Sequence, residues 1–210
     1  MKKMRILQVA VISLLATVSL QAAPSLPAGG ETVKNMKEAF TGETTASAKY
    51  AAFAKKAREE GHPRIALLFD AASKAESIHA GNHKAVLLQM GADVPVVVPA
   101  FDVKTTSENL KAAIEGESYE VTTMYPGMIK TASAENANLA LISLNYAFQV
   151  EKRHQALYEK ALKALNDKTE QTLPTLYMIC TTCGNTYEGE APERCGISMT
   201  PKERFEKISL

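Results

Sequence analysis

Apolar residues return along this chain at alternating steps of three and four, the spacing of one helix face, in four long stretches. The first runs from about Thr32 to Glu60, with Met36, Phe40, Ala46 and Ser47, Tyr50 and Ala54 on its stripe, and Gly61-His62-Pro63 closes it. The second runs from about Pro63 to Met90, through Ile65, Phe69, Ala72, Val86 and Met90, with Gly91 placed as a C-terminal cap. Asp93 to Thr106 breaks the period with Pro95, Pro99 and the β-branched run Val96-Val97-Val98, and reads as an extended crossover. A third helix opens near Ser107, where Ser107-Glu108-Asn109 offers capping chemistry, and carries Leu110, Ile114, Val121, Met124 and Met128. Pro126 removes an amide donor and is expected to kink it near Tyr125. The fourth runs from about Ser133 to Leu165, through Leu141, Leu144, Phe148, Tyr158 and Leu165. Short, long and short connections predict an all-α four-helix bundle with one long crossover.

The two ends depart from this pattern. Met1 to Arg5 is basic, Ile6 to Leu20 is apolar, and Leu20-Gln21-Ala22-Ala23-Pro24 supplies small residues before a proline. That order is a secretory signal peptide, too short for a comfortable membrane span. Residues 1–22 are therefore expected to be a signal, cleaved after Ala22, with an uncleaved anchor the alternative, and 23–30 a leader. The expected location is exported, in a bacterial periplasm. The bundle then occupies 31–167, a polar linker 168–175, and a small module 176–210. This last segment has no helical period and β-type residues such as Tyr177, Ile179, Thr186 and Tyr187. About 35 residues cannot bury enough surface to fold alone, so a metal is expected to staple them.

Net charge is +1 with no basic block, which gives no reason to expect a nucleic-acid partner. The three cysteines lie between Cys180 and Cys195 and cannot all pair, so metal binding is the better reading than a disulfide framework.

Acidic residues on apolar stripes carry the chemistry. Glu43 falls in step with Met36, Phe40 and Tyr50; Glu76, His79 and His83 lie on the second stripe; Glu117 and Glu120 on the third; Glu151 and His154 on the fourth. An unpaired buried carboxylate costs on the order of several kcal/mol, so these charges need cations. Glu76-x-x-His79 and Glu151-x-x-His154 each present an oxygen and a nitrogen to one point. Together with a Glu from each of two other helices they form the di-iron or di-manganese carboxylate pattern. Glu43 and Glu76 are 33 residues apart, Glu117 and Glu151 34, so the ligand sets repeat. Oxygen and imidazole ligands suit iron or manganese better than a soft metal. His83 reads as a core residue or a neighbour of the ligands, and His62 as a solvated turn residue.

Ala39-Phe40-Thr41-Gly42-Glu43-Thr44 resembles the first-helix motif of the rubrerythrin family. Asn109 to Glu120, with Met124-Tyr125-Pro126, resembles its third-helix motif, and the resemblance spans Glu31 to Ile208. It implies a ferritin-like bundle joined to a rubredoxin-like tail. Glu43, Glu76, Glu117, Glu120, Glu151, His79 and His154 would be ligands to two irons, with Glu76 and Glu151 bridging. In the family one iron moves between a carboxylate and a histidine, which match Glu120 and His79. Tyr50 and Tyr125 match family tyrosines beside the site.

Cys180-Thr181-Thr182-Cys183-Gly184 has the spacing of a metal knuckle. Gly189 to Cys195 and Pro201-Lys202-Glu203-Arg204-Phe205 match the family tail, but its fourth cysteine position holds Ser198, and Met199 replaces the usual glycine. A tail site of Cys180, Cys183, Cys195 and Ser198 would hold iron weakly and at lower potential; zinc, or a Cys180–Cys183 disulfide, are the alternatives. The resemblance implies reduction of hydrogen peroxide to water, with electrons from an unknown donor relayed through the tail across a head-to-tail homodimer. The rival reading is an iron-binding, ferroxidase-type protein with an impaired tail.

Overall fold

The computed structural model describes residues 30–210; the expected signal at 1–22 and most of the leader lie outside them. Among the described residues no helix is long and apolar enough to cross a membrane. The first helix, α1, spans Glu31–Glu59 and the second, α2, Pro63–Gln89. Gly61 turns the chain between them at φ 85°, and Pro63 starts α2 in the first turn, where its missing amide is harmless. His62 is not solvated as expected: its Nδ1 lies 2.9 Å from a Glu170 carboxylate oxygen. Arg64 reaches the carbonyls of Gln171 and Leu173, so the linker is pinned to this turn.

Residues 93–105 carry no regular structure, as the crossover requires, and expose Val96 and Val98. Helix α3, Thr106–Tyr119, is capped by Thr105 rather than Ser107. Thr105 and Glu108 bond each other's backbone amides in a capping box, satisfying two orphan donors at once. A π-turn over Glu120–Met124 follows, then α4, Tyr125–Ala134. Pro126 cannot donate to the helical ladder, and the wider turn sits just before it. The fourth bundle helix, α5, begins at Asn138, five residues later than the apolar period suggests, and ends at Asn166. Asn136 adopts φ 55° in the intervening turn, and the Glu135 carboxylate accepts the Thr32 amide of α1 at 3.1 Å.

Two apolar clusters fill the bundle. One packs Tyr50, Phe53, Phe69 and Tyr158; the other packs Met36, Leu87, Tyr125 and Leu144. Each fully buried side chain of this size contributes roughly 1.5–3 kcal/mol. Glu43, Glu76, Glu117 and Glu151 fall between the two clusters along their helices.

The tail forms a three-stranded antiparallel sheet, β1 Leu176–Cys180, β2 Thr186–Glu188 and β3 Phe205–Ser209, ordered β2-β1-β3. It lies against α2 and α5 of its own chain. Asn82 donates to the Thr182 carbonyl at 2.8 Å, and Lys74–Glu206 and Lys160–Glu188 form ion pairs at 2.8 Å. Tyr177 and Ile179 of β1 join the apolar cluster around Phe69.

Candidate metal centre

Six of the seven expected bundle ligands converge in two overlapping sets. Glu43, Glu76, His79 and Glu151 place ligand atoms within 4.8 Å of one another, and so do Glu76, Glu117, Glu151 and His154. All six are buried. Glu76 and Glu151 belong to both sets and offer one oxygen to each. Glu76 Oε2 lies 2.8 Å from His79 Nδ1 and its Oε1 3.0 Å from His154 Nδ1. Glu151 Oε1 lies 2.8 Å from His79 Nδ1 and its Oε2 2.8 Å from His154 Nδ1.

The outer nitrogen of each histidine fixes what the inner one can do. His79 Nε2 lies 3.0 Å from the Cys183 carbonyl, which only accepts, so Nε2 carries the proton. His154 Nε2 lies 3.0 Å from Thr186 Oγ1, whose own proton goes to the Gly184 carbonyl. Both Nδ1 atoms therefore turn a lone pair toward the carboxylates, the arrangement a metal-ligating imidazole needs.

The donors fit a pair of cations. Both oxygens of Glu76, one each of Glu43 and Glu151, and His79 Nδ1 are buried without a hydrogen-bond partner among the described residues. Lone pairs facing one another in a dry interior repel unless a positive charge lies between them.

Protons take that place when cations are absent. Burial, then the neighbouring carboxylates, raises Glu43, Glu117 and Glu120 well above their ordinary 4.5. Burial alone would lower His79 and His154, but the carboxylates, led by Glu151 for His79 and Glu76 for His154, hold both well above 6.5. Burial would raise Glu76; the charges of His154 and His79 outweigh it and bring it to about 2.

Tyrosines back the two outer carboxylates crosswise. Tyr50 on α1 donates to Glu117 Oε1 at 2.6 Å, and Tyr125 on α4 donates to Glu43 Oε1. Tyr50 stands seven residues after Glu43, Tyr125 eight after Glu117; the π-turn absorbs the extra residue and keeps both tyrosines in place. Glu120 opens that turn. It is the one expected ligand in neither set, and half-buried rather than buried. It lines a surface groove of about 480 Å³ with Lys37, Thr41, Gly42, Pro95 and Met124.

In the tail, Cys180, Cys183 and Cys195 are buried and free, not joined as Cys180–Cys183. They place their sulfurs within 4.8 Å of one another. Ser198 Oγ stands 3.3 Å from Cys180 Sγ and 2.8 Å from Thr200 Oγ1, at the fourth corner. Hydrogen bonds from Cys180 and Cys183 hold Cys195 well below the usual thiol range, while those with Cys180 and Cys195 push Cys183 well above it. Met199 adopts φ 59°, the left-handed region that favours glycine.

The approach of tail to bundle has no local sequence signal. The relay expected from the sequence crosses two chains; within a single chain, Cys183 already meets His79. Gly184 permits this contact, since a Cβ there would stand 2.6 Å from His79 Nε2.

The family model described as Rubrerythrin matches residues 34–162. Nigerythrin from Nitratidesulfovibrio vulgaris is 38% identical over 192 residues, covering 90% of this chain and 93% of that one. Rubrerythrin-2 from Clostridium acetobutylicum is 33% identical over 172 residues, covering 81% and 93%. The solved structure of nigerythrin in its fully reduced, all-ferrous state superposes with a TM-score of 0.77 at 34% identity, over 92% of this chain and 91% of that one. The motifs, the bundle with its two shared carboxylates, and these likenesses over nearly the whole described chain agree: the chain belongs to the rubrerythrin family.

Proposed function

We propose that this chain is a non-haem di-iron peroxidase that reduces hydrogen peroxide to water, fed by electrons from its cysteine tail. The observation that carries the reading is the pair of ligand sets sharing Glu76 and Glu151, with both imidazole lone pairs turned inward. Glu43 and His79 would complete one position, Glu117 and His154 the other. Iron bound there supplies two electrons and the Lewis acidity that polarises peroxide. The overall balance is one peroxide, two electrons and two protons to two waters.

The chain's own residues set the conditions for that reaction. The six buried side chains exclude bulk water and fix the spacing of the pair. The Tyr50 and Tyr125 hydroxyls hold their protons on Glu117 and Glu43 and orient those carboxylates. Glu120 lines the groove, and burial and the charges of Glu151 and Glu76 raise its affinity for a proton. It is placed to carry a proton inward and to admit a molecule as small as peroxide. The Cys183 carbonyl and the His79 N–H join the thiolate cluster to the centre through one hydrogen bond, and electrons take this route. The donor that reduces the tail is a separate reductant, and the protein works as a homodimer. The apolar run at 6–20 exports it, which N-terminal sequencing of the mature chain checks.

A second reading, an iron-binding ferroxidase-type protein, is favoured by one observation: a hydroxyl, not a thiolate, occupies the fourth corner of the tail. Steady-state peroxide consumption with a reduced donor separates them. Sustained cycling supports the peroxidase; a single turnover followed by arrest supports the binder.

A further inference from the structure

The two halves of the bundle repeat at the centre, apart from Glu120, whose counterpart is Ala46, and one pair of buried aromatic residues. Glu43 and Tyr50 correspond to Glu117 and Tyr125, and Glu76 and His79 to Glu151 and His154. Four residues past each histidine, one half has His83 and the other Tyr158, both buried. Tyr158 packs its ring on Tyr50, centroids 5.4 Å apart, beside the hydroxyl that serves Glu117. His83 stands behind the hydroxyl that serves Glu43. Its Nε2 is 3.3 Å from Tyr125 Oη and its Nδ1 2.8 Å from Ser143 Oγ.

The direction of this chain follows from its last member. Glu43, as a cation ligand, is a carboxylate and only accepts, so the Tyr125 proton points at it. The Tyr125 oxygen is then an acceptor for His83, whose Nε2 carries hydrogen. Nδ1 is left bare to accept the Ser143 hydroxyl. Burial keeps the imidazole neutral, lowering it to about 3, so it has only one N–H to place. Three donors in series point the same way, and each polarises the next.

We infer that His83 is a positioning residue for one metal position: with Ser143 it fixes the Tyr125 hydroxyl on Glu43, whereas at the other position a tyrosine, Tyr158, stands beside the matching hydroxyl of Tyr50. The inference rests on the two-cation reading above. Removing a partner behind a ligand typically costs about 10–100-fold in metal affinity. His83 acts through Tyr125 and Glu43, so its loss falls on the position that Glu43 and His79 serve.

The test titrates manganous ion into the metal-free full chain, followed by calorimetry and electron paramagnetic resonance. Manganese prefers the carboxylate and imidazole donors to the thiolates of the tail. The wild type is expected to take two ions. His83→Leu weakens one of them by about tenfold and leaves the other unchanged. Tyr125→Phe gives the same loss, and His83→Leu added to it costs nothing more. His83→Gln, whose amide presents an N–H to Tyr125, restores both, and it keeps the test open if His83→Leu does not fold. Equal weakening of both ions, a His83→Gln that behaves like His83→Leu, or additive losses overturn the inference. Two ions bound by wild type and unchanged in His83→Leu overturn it alone; fewer than two in wild type overturn the two-cation reading with it.

Discussion

The Nε2 of His79 lies 3.0 Å from the carbonyl oxygen of Cys183. One hydrogen bond thus does two things: it fixes the tautomer of His79, an expected ligand, and it joins the cysteine cluster to the bundle. The contact depends on Gly184, which sits at φ 78° with no room for a Cβ. Gly184→Ala is expected to push the tail away from His79, costing about 1–2 kcal/mol from the backbone alone. Turnover with a donor that reduces the tail should fall, while direct chemical reduction of the bundle should still support peroxide reduction. Rapid-mixing reduction kinetics of tail and bundle check this.

Glu76 gives one oxygen to each metal position, so no single-site remnant survives its removal. Glu76→Ala should lose metal from both positions and reduce peroxidase turnover by roughly a hundredfold or more, beyond the usual cost of an outer partner. Circular dichroism should still show the bundle, because both apolar clusters remain. Unchanged turnover in this variant would count decisively against the scheme.

The metal-free protein should lose stability as pH rises. Glu43, Glu117 and Glu120 are raised above 4.5, and His79 and His154 above 6.5. A raised group stabilises the fold fully below its unfolded value and stops doing so as pH rises through its folded value. The decline therefore starts near 4.5 and continues through neutrality. A tenfold difference in proton affinity between the folded and unfolded chain is worth about 1.4 kcal/mol. Bound cations replace these protons, so the gain in melting temperature on loading should grow with pH. Thermal melts of metal-free and loaded protein at about pH 5 and pH 8 measure both trends.

Ser198 and Met199 are each expected to weaken the tail, in separable ways. Ser198→Cys supplies the fourth thiolate and should slow loss of tail metal to a chelator by roughly tenfold or more, with a rise in reduction potential. Met199→Gly relieves a left-handed residue that is 61% exposed, and should stabilise by about 1 kcal/mol. Chelator competition and thermal melts of the two single variants distinguish these effects.

The four helices and the six residues that cluster between them were legible because both are local patterns. Glu76 and His79 announce a shared helix face by their spacing, and acidic residues on apolar stripes require a compensating charge wherever they point. The true cap of α3, Thr105 with Glu108, carries an equally local signal, one residue before the α3 start. The π-turn was half legible: Pro126 marks the break, but only the Tyr125–Glu43 contact shows that an extra residue is absorbed there. The Glu135 bond to Thr32 and the Cys183 bond to His79 join residues 103 and 104 positions apart. No period or motif within one helix encodes such meetings, which arise from how whole elements dock. The sequence leaves His83 as a core residue or a neighbour of the ligands; Tyr125 and Ser143 on its two nitrogens show which contacts it makes.

Anomalous scattering from crystals of the iron-loaded chain is the sharpest check on a shared two-iron centre. Two iron peaks are expected between the helices, one against Glu43 and His79, the other against Glu117 and His154, with Glu76 and Glu151 touching both. A single peak, or iron bound only at the cysteines while the six buried side chains hold none, is incompatible with such a centre.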